Sequence, residues 1–272
     1  MISQNKTRLF SIVITGSTRG IGLGLGRAFL ELGCAITVSG RTQATVEQVV
    51  LDLSTRYGNE RVFGFPCNVV DIEQVQALWN AAAGRFGRVD IWINNAGLAH
   101  PMSNFWDHTP QQYQSVVQTN LIGTMNGLRV AMQGMLAQGS GAIYSLEGLG
   151  SDGRIVEGMA LYGSTKAAIR YLDRALAKQL KGKPVITGAI VPGMVITDLV
   201  TSQFEGRQSD YEKVKPIFNI IAERVETVTP IIARKTLANR KNGAQIRPYC
   251  SGYLLWKFIR APFYRRNIFG GS

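Results

Sequence analysis

A short apolar run, Leu9 to Ile14, leads at once into Thr15-Gly16-Ser17-Thr18-Arg19-Gly20-Ile21-Gly22 and then an apolar helix pattern through Leu32. Strand, glycine turn and helix in that order constrain the chain strongly. A buried parallel strand needs a crossover that packs back on its own sheet. The same context gives the glycines a chemical meaning. Gly16 permits the tight turn, Gly20 and Gly22 let a pyrophosphate approach the backbone, and the helix N-terminus supplies N–H groups and a partial positive charge. Ser17, Thr18, Arg19 and Ile21 complete the candidate loop. A turn that merely contains glycines is the competing reading, and the flanking strand and helix argue against it.

The next strand, Ala35 to Ser39, ends in Ser39-Gly40-Arg41. A site for a free ribose hydroxyl usually carries Asp or Glu about 20 residues past the glycines. Here there is no acid, and Arg41 with Arg19 offers two guanidinium groups that match a phosphate in a bidentate fork. The expected cofactor is therefore NADPH, and the missing carboxylate argues that way even if Arg41 is a solvated loop residue. A helix from Thr42 to Tyr57 and a strand from Arg61 to Cys67 follow, ending in Asn68-Val69, where an amide suits an adenine edge. The strand Val89 to Ile93 runs into Asn94-Asn95-Ala96-Gly97, whose small residues admit a cofactor. Strands are also expected at Gly141 to Leu146 and Val185 to Val191, the latter ending in Pro192-Gly193-Met194-Val195-Ile196-Thr197. Six parallel strands with intervening helices predict an α/β fold, a doubly wound parallel sheet of Rossmann type. The expected division is a single reductase domain over residues 1–240, with a substrate lid at about 199–237, and a basic-aromatic extension over 241–272.

Tyr162-Gly163-Ser164-Thr165-Lys166 lies in a segment that reads as a helix from Gly158 to Lys181, so Tyr162 and Lys166 share one face. A phenol titrates near pH 10, and acid/base work at neutral pH asks for about 4 kcal/mol of help. A fixed ammonium favours the phenolate and would lower that pKa. By itself the pair occurs by chance on many helices. Asn120, in "QTNLIGTMNG", falls inside a long predicted helix from Thr109-Pro110 to Ala137. Asn is a poor helix-interior residue, so a buried one needs a task, such as holding a water near the Lys166 ammonium.

Taken together, "TGSTRGIG", "NNAG", Asn120, "YGSTK" and "PGMVITD" resemble the short-chain dehydrogenase/reductase family over about residues 7–200. The resemblance implies a nicotinamide cofactor along the carboxyl ends of the strands. It implies Tyr162 as proton donor to a carbonyl, Lys166 lowering its pKa and binding the ribose, and Asn120 in a water-linked relay. It also implies a homo-oligomer. One departure stands out, because the family usually ends the fifth strand with a serine pair whose second member polarises the substrate carbonyl. Aligned from the strand, "AIYSLEGLGSDGR" puts Glu147 in that place. A protonated Glu147 could donate to the carbonyl, Ser145 or Ser151 could serve instead, the substrate could need less polarising, or Glu147 is a rim residue of a non-catalytic relative. That stretch, with "IFNIIAERVETVTPIIARK" and "NGAQIRP", is similar to the chlorophyll b reductase branch and its bacterial relatives. The similarity implies NADPH-dependent reduction of the C7 formyl group of chlorophyll b, or of another hydrophobic aldehyde or ketone.

Formal charge is +12, yet the nine basic residues from Thr227 to Ser272 face no acidic residue in that stretch, so it alone carries +9. This tail mixes Tyr249, Tyr253, Trp256, Phe258, Phe263 and Tyr264 with Arg247, Lys257, Arg260, Arg265 and Arg266. An interfacial anchor, a subunit contact, a wall for a greasy substrate and an ordered tail packed on the body all fit that composition. Nucleic acid is disfavoured as a partner, since no recognition motif is present. Cys34, Cys67 and Cys250 lack metal-ligand spacing and read as small buried hydrophobes, with no metal site. No secretory leader and no apolar run of about 18 residues is visible, so a cytoplasmic protein is expected, with peripheral membrane contact left open.

Overall fold

The computed structural model describes residues 9–204, 206, 208–250, 252–261 and 266–269. Phe263, Tyr264 and Arg265 of the tail lie outside them. Strands β1 (Ser11–Ile14), β2 (Ala35–Gly40), β3 (Val62–Pro66), β4 (Ile91–Asn94), β5 (Gly141–Leu146), β6 (Val185–Ile190) and β7 (Ala244–Ile246) form one parallel sheet. Their order is β3-β2-β1-β4-β5-β6-β7. The chain winds outward from β1 to β3, returns to lay β4 beside β1, and winds outward the other way. That reversal opens a crevice at the carboxyl ends of β1 and β4, where a doubly wound sheet binds its ligand.

Side-chain alternation along each strand divides the core between the two faces of the sheet. Ile12, Ile14, Ile36, Val38, Ile91, Ile93 and Tyr144 point one way and pack on Leu25, Phe29, Val228 and Ile232. Val13, Trp92 and Ile143 point the other way, onto Val75, Leu78, Trp79, Leu128, Ala131 and Met135. The first layer comes from α1 (Gly20–Glu31), α2 (Gln43–Tyr57) and α9 (Val225–Ala238), the second chiefly from α3 (Ile72–Phe86) and α5 (Gly123–Gln138). Cys34 and Cys67 are small buried hydrophobes as expected, their thiols pushed up to about 11 and about 12 by burial, whereas Cys250 is exposed.

Three features differ from the sequence expectation. Strand β7 was not foreseen, because three residues show no periodicity; Gly243 N–H donates to the Thr187 carbonyl at 2.7 Å and Val191 N–H to that of Ile246 at 2.9 Å. The sheet therefore continues past residue 240. Helix α9 contributes Val228, Ile232 and Ala233 to the main core, so it supports the sheet from below. The segment that can overhang the crevice is shorter than 199–237: α7 (Asp198–Thr201), a 3-10 turn (Ser202–Phe204) and α8 (Gln208–Ile221). It carries its own apolar cluster, with Phe204, Phe218 and Ala222 packed on Met102, Met194 and Val200. Third, the helix expected from Thr109-Pro110 to Ala137 is α4 (Pro110–Val117), a π turn (Gln118–Ile122) and α5 in unbroken succession, and the π turn contains Asn120.

Candidate active site

The glycine turn is built as a cradle. Gly16 and Gly20 adopt φ of 62° and 56°, left-handed values that cost other residues strain. A Cβ on Gly16 would lie 2.8 Å from the Ala96 Cα, and one on Gly22 only 2.4 Å from the Asn95 amide nitrogen, so β1's turn closes tightly on the end of β4. Asn95 fastens that closure: its Nδ2 donates to the Thr15 and Gly16 carbonyls, each at 2.8 Å. Thr15, which the sequence reading left without a task, accepts at Oγ1 from the N–H groups of Asn95 (3.0 Å) and Ala96 (3.1 Å). Ser17 is equally occupied, donating to the Ile14 carbonyl at 2.7 Å and accepting from Ser39 N–H at 2.9 Å. The side chains of Ser17 and Asn95 thus shape the cradle, leaving backbone to face a ligand.

Helix α1 begins with no side chain capping its N-terminus and no acid in its first turn. By contrast Asp71 caps α3, and Thr109 with Gln112 forms a capping box on α4. Open N–H groups over a cradle that any Cβ would fill fit the pyrophosphate of a dinucleotide. Thr18 lies against Gly40, where a Cβ would approach its Cγ2 to 2.7 Å, which brings the following Arg41 beside the loop. Arg41 is exposed, and so is Arg19, whose 3.9 Å pair with Asp198 is solvated enough to yield readily to a phosphate. Asn68 is exposed and turned locally, its Oδ1 accepting from Val70 N–H at 3.3 Å, while Val69 is buried with its carbonyl held by Asn126 at 2.9 Å.

After β6, Pro192 is buried and Gly193 takes φ of 80°. Val195 bridges Glu223: Glu223 N–H donates to the Met194 carbonyl at 2.9 Å and Ile196 N–H to the Glu223 carbonyl at 3.0 Å. In such a parallel bridge the N–H and C=O of Val195 itself face the opposite side. The valine side chain is core, so only this backbone can meet a cofactor. Thr197 lies across from Gly20, its Cγ2 3.6 Å from where a Cβ would stand. Gly97 approaches Asn120, at 3.6 Å from the amide oxygen by the same measure.

Helix α6 (Ala160–Gln179) carries Tyr162 and Lys166 as predicted. Lys166 is 5% exposed, its Nζ donates to the Leu146 carbonyl at the end of β5 (2.9 Å), and it lies 5.6 Å from the centre of the Tyr162 ring. Burial lowers its pKa to about 8, against the pull of Asp173 and Glu147, which favour the ammonium. The phenol behaves otherwise than the sequence suggested: burial pushes Tyr162 up to about 12. Desolvation therefore outweighs the lysine and favours the protonated phenol. Asn120 is fully buried; its Oδ1 accepts from Leu98 N–H (2.7 Å) and its Nδ2 donates to the Leu98 carbonyl (2.9 Å) and Thr165 Oγ1 (3.2 Å). Its side chain thereby ties the loop after β4 to the turn of α6 that bears Lys166. A π turn that spares a buried polar residue for such work is common at functional sites.

Glu147 does not occupy the place expected for it. Its side chain accepts from Ser151 (3.1 Å), from Gln245 (3.2 Å) and from Arg170 (3.5 Å). The residue against the tyrosine is Gly148, whose added Cβ would stand 2.6 Å from the Tyr162 hydroxyl. Leu146 pairs with Ile190 at the end of β5, and Gly148, one residue beyond Glu147, is the one brought to the Tyr162 hydroxyl. Ser145 is likewise committed, donating to Asp173 at 2.9 Å, and Ser151 to Glu147. Among the described residues it is Gly148, and neither Ser145 nor Ser151, that stands against the Tyr162 hydroxyl. Asp173, which the sequence reading passed over, is buried behind Lys166 with its carboxyl raised to about 7 by desolvation and one oxygen without a hydrogen-bond partner.

A parallel sheet with a glycine cradle at its switch point and a buried Tyr-Lys pair on the adjoining helix defines a nucleotide-dependent oxidoreductase. Residues 11–208 match the model for the short chain dehydrogenases, and the chain belongs to that family. Within it, the chain is 34% identical over 245 residues to chlorophyll(ide) b reductase NOL, chloroplastic, of Arabidopsis thaliana, covering 88% of this chain and 69% of that protein. It is 32% identical over 252 residues to the probable chlorophyll(ide) b reductase NYC1, chloroplastic, of the same plant, covering 87% of this chain and 50% of the relative. The chain thus spans between half and about two-thirds of the length of these relatives. Among solved structures, the closed form of serine dehydrogenase complexed with NADP+ superposes with a TM-score of 0.75 at 24% identity, covering 88% of this chain and 94% of that one, which shows the fold.

Proposed function

We propose that the protein is an NADPH-dependent reductase of a formyl or keto group on a large hydrophobic substrate, most specifically chlorophyll b, which it converts to 7-hydroxymethyl chlorophyll a. The observation that carries this reading is the Tyr162 hydroxyl set against Gly148 beside Lys166, whose ammonium is held at the carboxyl end of β5. Gly16 to Gly22 would hold the pyrophosphate, Arg19 and Arg41 the 2′-phosphate, Lys166 the ribose, and the Val195 backbone with Thr197 the nicotinamide end. A reduced nicotinamide supplies a hydride to the carbonyl carbon. Tyr162 holds the proton that the carbonyl oxygen needs once the hydride has arrived.

Size and greasiness of the substrate are supported by the segments that precede α4 and α6. Phe105 (58% exposed) and Trp106 (81%) stand in a 3-10 turn and Ile155 (96%) in the loop before α6, the two segments joined by Ser103 N–H to the Gly158 carbonyl at 3.3 Å. So much exposed apolar surface near a site suits a macrocycle better than a small polar aldehyde. The reading includes a homo-oligomer and a cytoplasmic setting; among the described residues no helix is long and apolar enough to cross a membrane. The test is to follow NADPH absorbance with chlorophyll b and with simple aldehydes. Turnover of chlorophyll b with kcat/KM well above that of the simple aldehydes is expected; tight NADPH binding with no carbonyl reduced would instead mark a cofactor-binding protein without catalysis.

A further inference from the structure

Helix α10 (Gly252–Arg260) is turned inside out. Leu254, Leu255, Phe258 and Ile259 fall within one arc of its circumference and are 48%, 66%, 46% and 62% exposed. Its buried residue is a lysine: Lys257 is 6% exposed and ion-paired with Glu223, 5% exposed, at 2.5 Å. The Tyr253 hydroxyl donates to the same carboxylate at 3.0 Å, so two donors of the helix pin it with its apolar face outward, and Arg266, beyond its end, reaches that carboxylate at 2.9 Å. A 9-residue helix free to roll would bury its leucines; this one is prevented by a buried charge that must stay paired.

We infer that the outward face of α10 seats the protein on an anionic phospholipid surface, the four apolar side chains entering the acyl boundary and the surrounding cations meeting the headgroups. Charge selects this occupant. The segment from Thr227 to Ser272 carries nine basic residues and no acidic one. A second copy docked face to face would set α10, which holds Lys257 and Arg260 and no acid, against itself, with like charges opposed across a twofold axis. An anionic bilayer offers the complementary sign. Trp256, 46% exposed and stacked on Tyr253 at 5.6 Å, stands beside the apolar arc with Arg260 4.5 Å over its ring, an aromatic-cation pairing suited to the headgroup zone.

This inference goes beyond the reductase reading and is tested without turnover, so the two can fail separately. The full chain is sedimented with vesicles of phosphatidylcholine alone and of phosphatidylcholine containing phosphatidylglycerol. The parent protein is expected to bind only the anionic vesicles, and high salt to release it. Leu255→Glu with Ile259→Glu should weaken that binding more than about tenfold with the thermal midpoint unchanged, and Leu255→Ser with Ile259→Ser should weaken it without adding charge. Failure to bind anionic vesicles, equal binding to neutral ones, or a lipid-free dimer of the parent that these substitutions dissociate would overturn the inference.

Discussion

One methyl group at position 148 probes the geometry on which proton transfer depends. In Gly148→Ala the new Cβ would stand 2.6 Å from the Tyr162 hydroxyl and 3.3 Å from the Lys166 Cγ, where ordinary contact begins at 3.4 Å. The phenol must therefore retreat by about 0.8 Å. Tyr162 and Lys166 meet the methyl with flexible side chains and not with backbone, so the fold should survive with a loss of about 1–2 kcal/mol. A misplacement of about 1 Å in a reacting group costs roughly 100-fold in rate. The expected result is a kcat for carbonyl reduction roughly 30- to 100-fold below the parent, with NADPH affinity by fluorescence titration unchanged. Gly148→Ser places the same Cβ and adds a hydroxyl to it, and should recover part of that loss if a polarising donor matters. A Gly148→Ala enzyme with kcat within about threefold of the parent would show that the hydroxyl is not held where the reaction needs it.

Arg41→Asp should weaken NADPH by about 30-fold, the worth of one charge-assisted phosphate contact, and leave NADH little changed in a fluorescence titration; equal loss of both would remove Arg41 from the phosphate site. Lys166 titrates near 8, so kcat/KM for reduction should fall as pH rises through that value and the ammonium is lost, and a profile flat from pH 7 to 9 would show that its charge is not used. Asp173, raised from 3.8 to about 7, favours the fold below its unfolded pKa and loses that contribution as pH climbs through 7. Asp173→Asn should therefore flatten the decline in stability between pH 4 and 7, read from denaturant midpoints; an unchanged slope would mean that another group governs it.

Much of the sheet was legible because buried parallel strands are continuous apolar runs and the glycine turn fixes where the first crossover begins. Strand β7 was invisible because Ala-Gln-Ile carries no period and is held by its neighbours' backbone. Helix α9 was misplaced above the site, since an apolar stripe shows that a helix is buried and not on which layer. Tyr162 and Lys166 could be found from their spacing, and Gly148 could not, because a one-residue shift at the end of β5 exchanges the residue facing the site for the one facing away. The sign of the phenol's shift was also beyond reach. Spacing placed the ammonium near the ring, but only the packed structure shows that desolvation prevails over it.

The central claim is that the Tyr162 hydroxyl delivers the proton while the cradle independently holds the cofactor. Tyr162→Phe keeps the ring and removes only that oxygen. Single-turnover reduction of an aldehyde by bound NADPH should fall more than about 1000-fold, beyond the usual contribution of general acid catalysis at the low end, while the NADPH dissociation constant stays within about threefold. Reduction by the phenylalanine enzyme within tenfold of the parent rate would contradict the account.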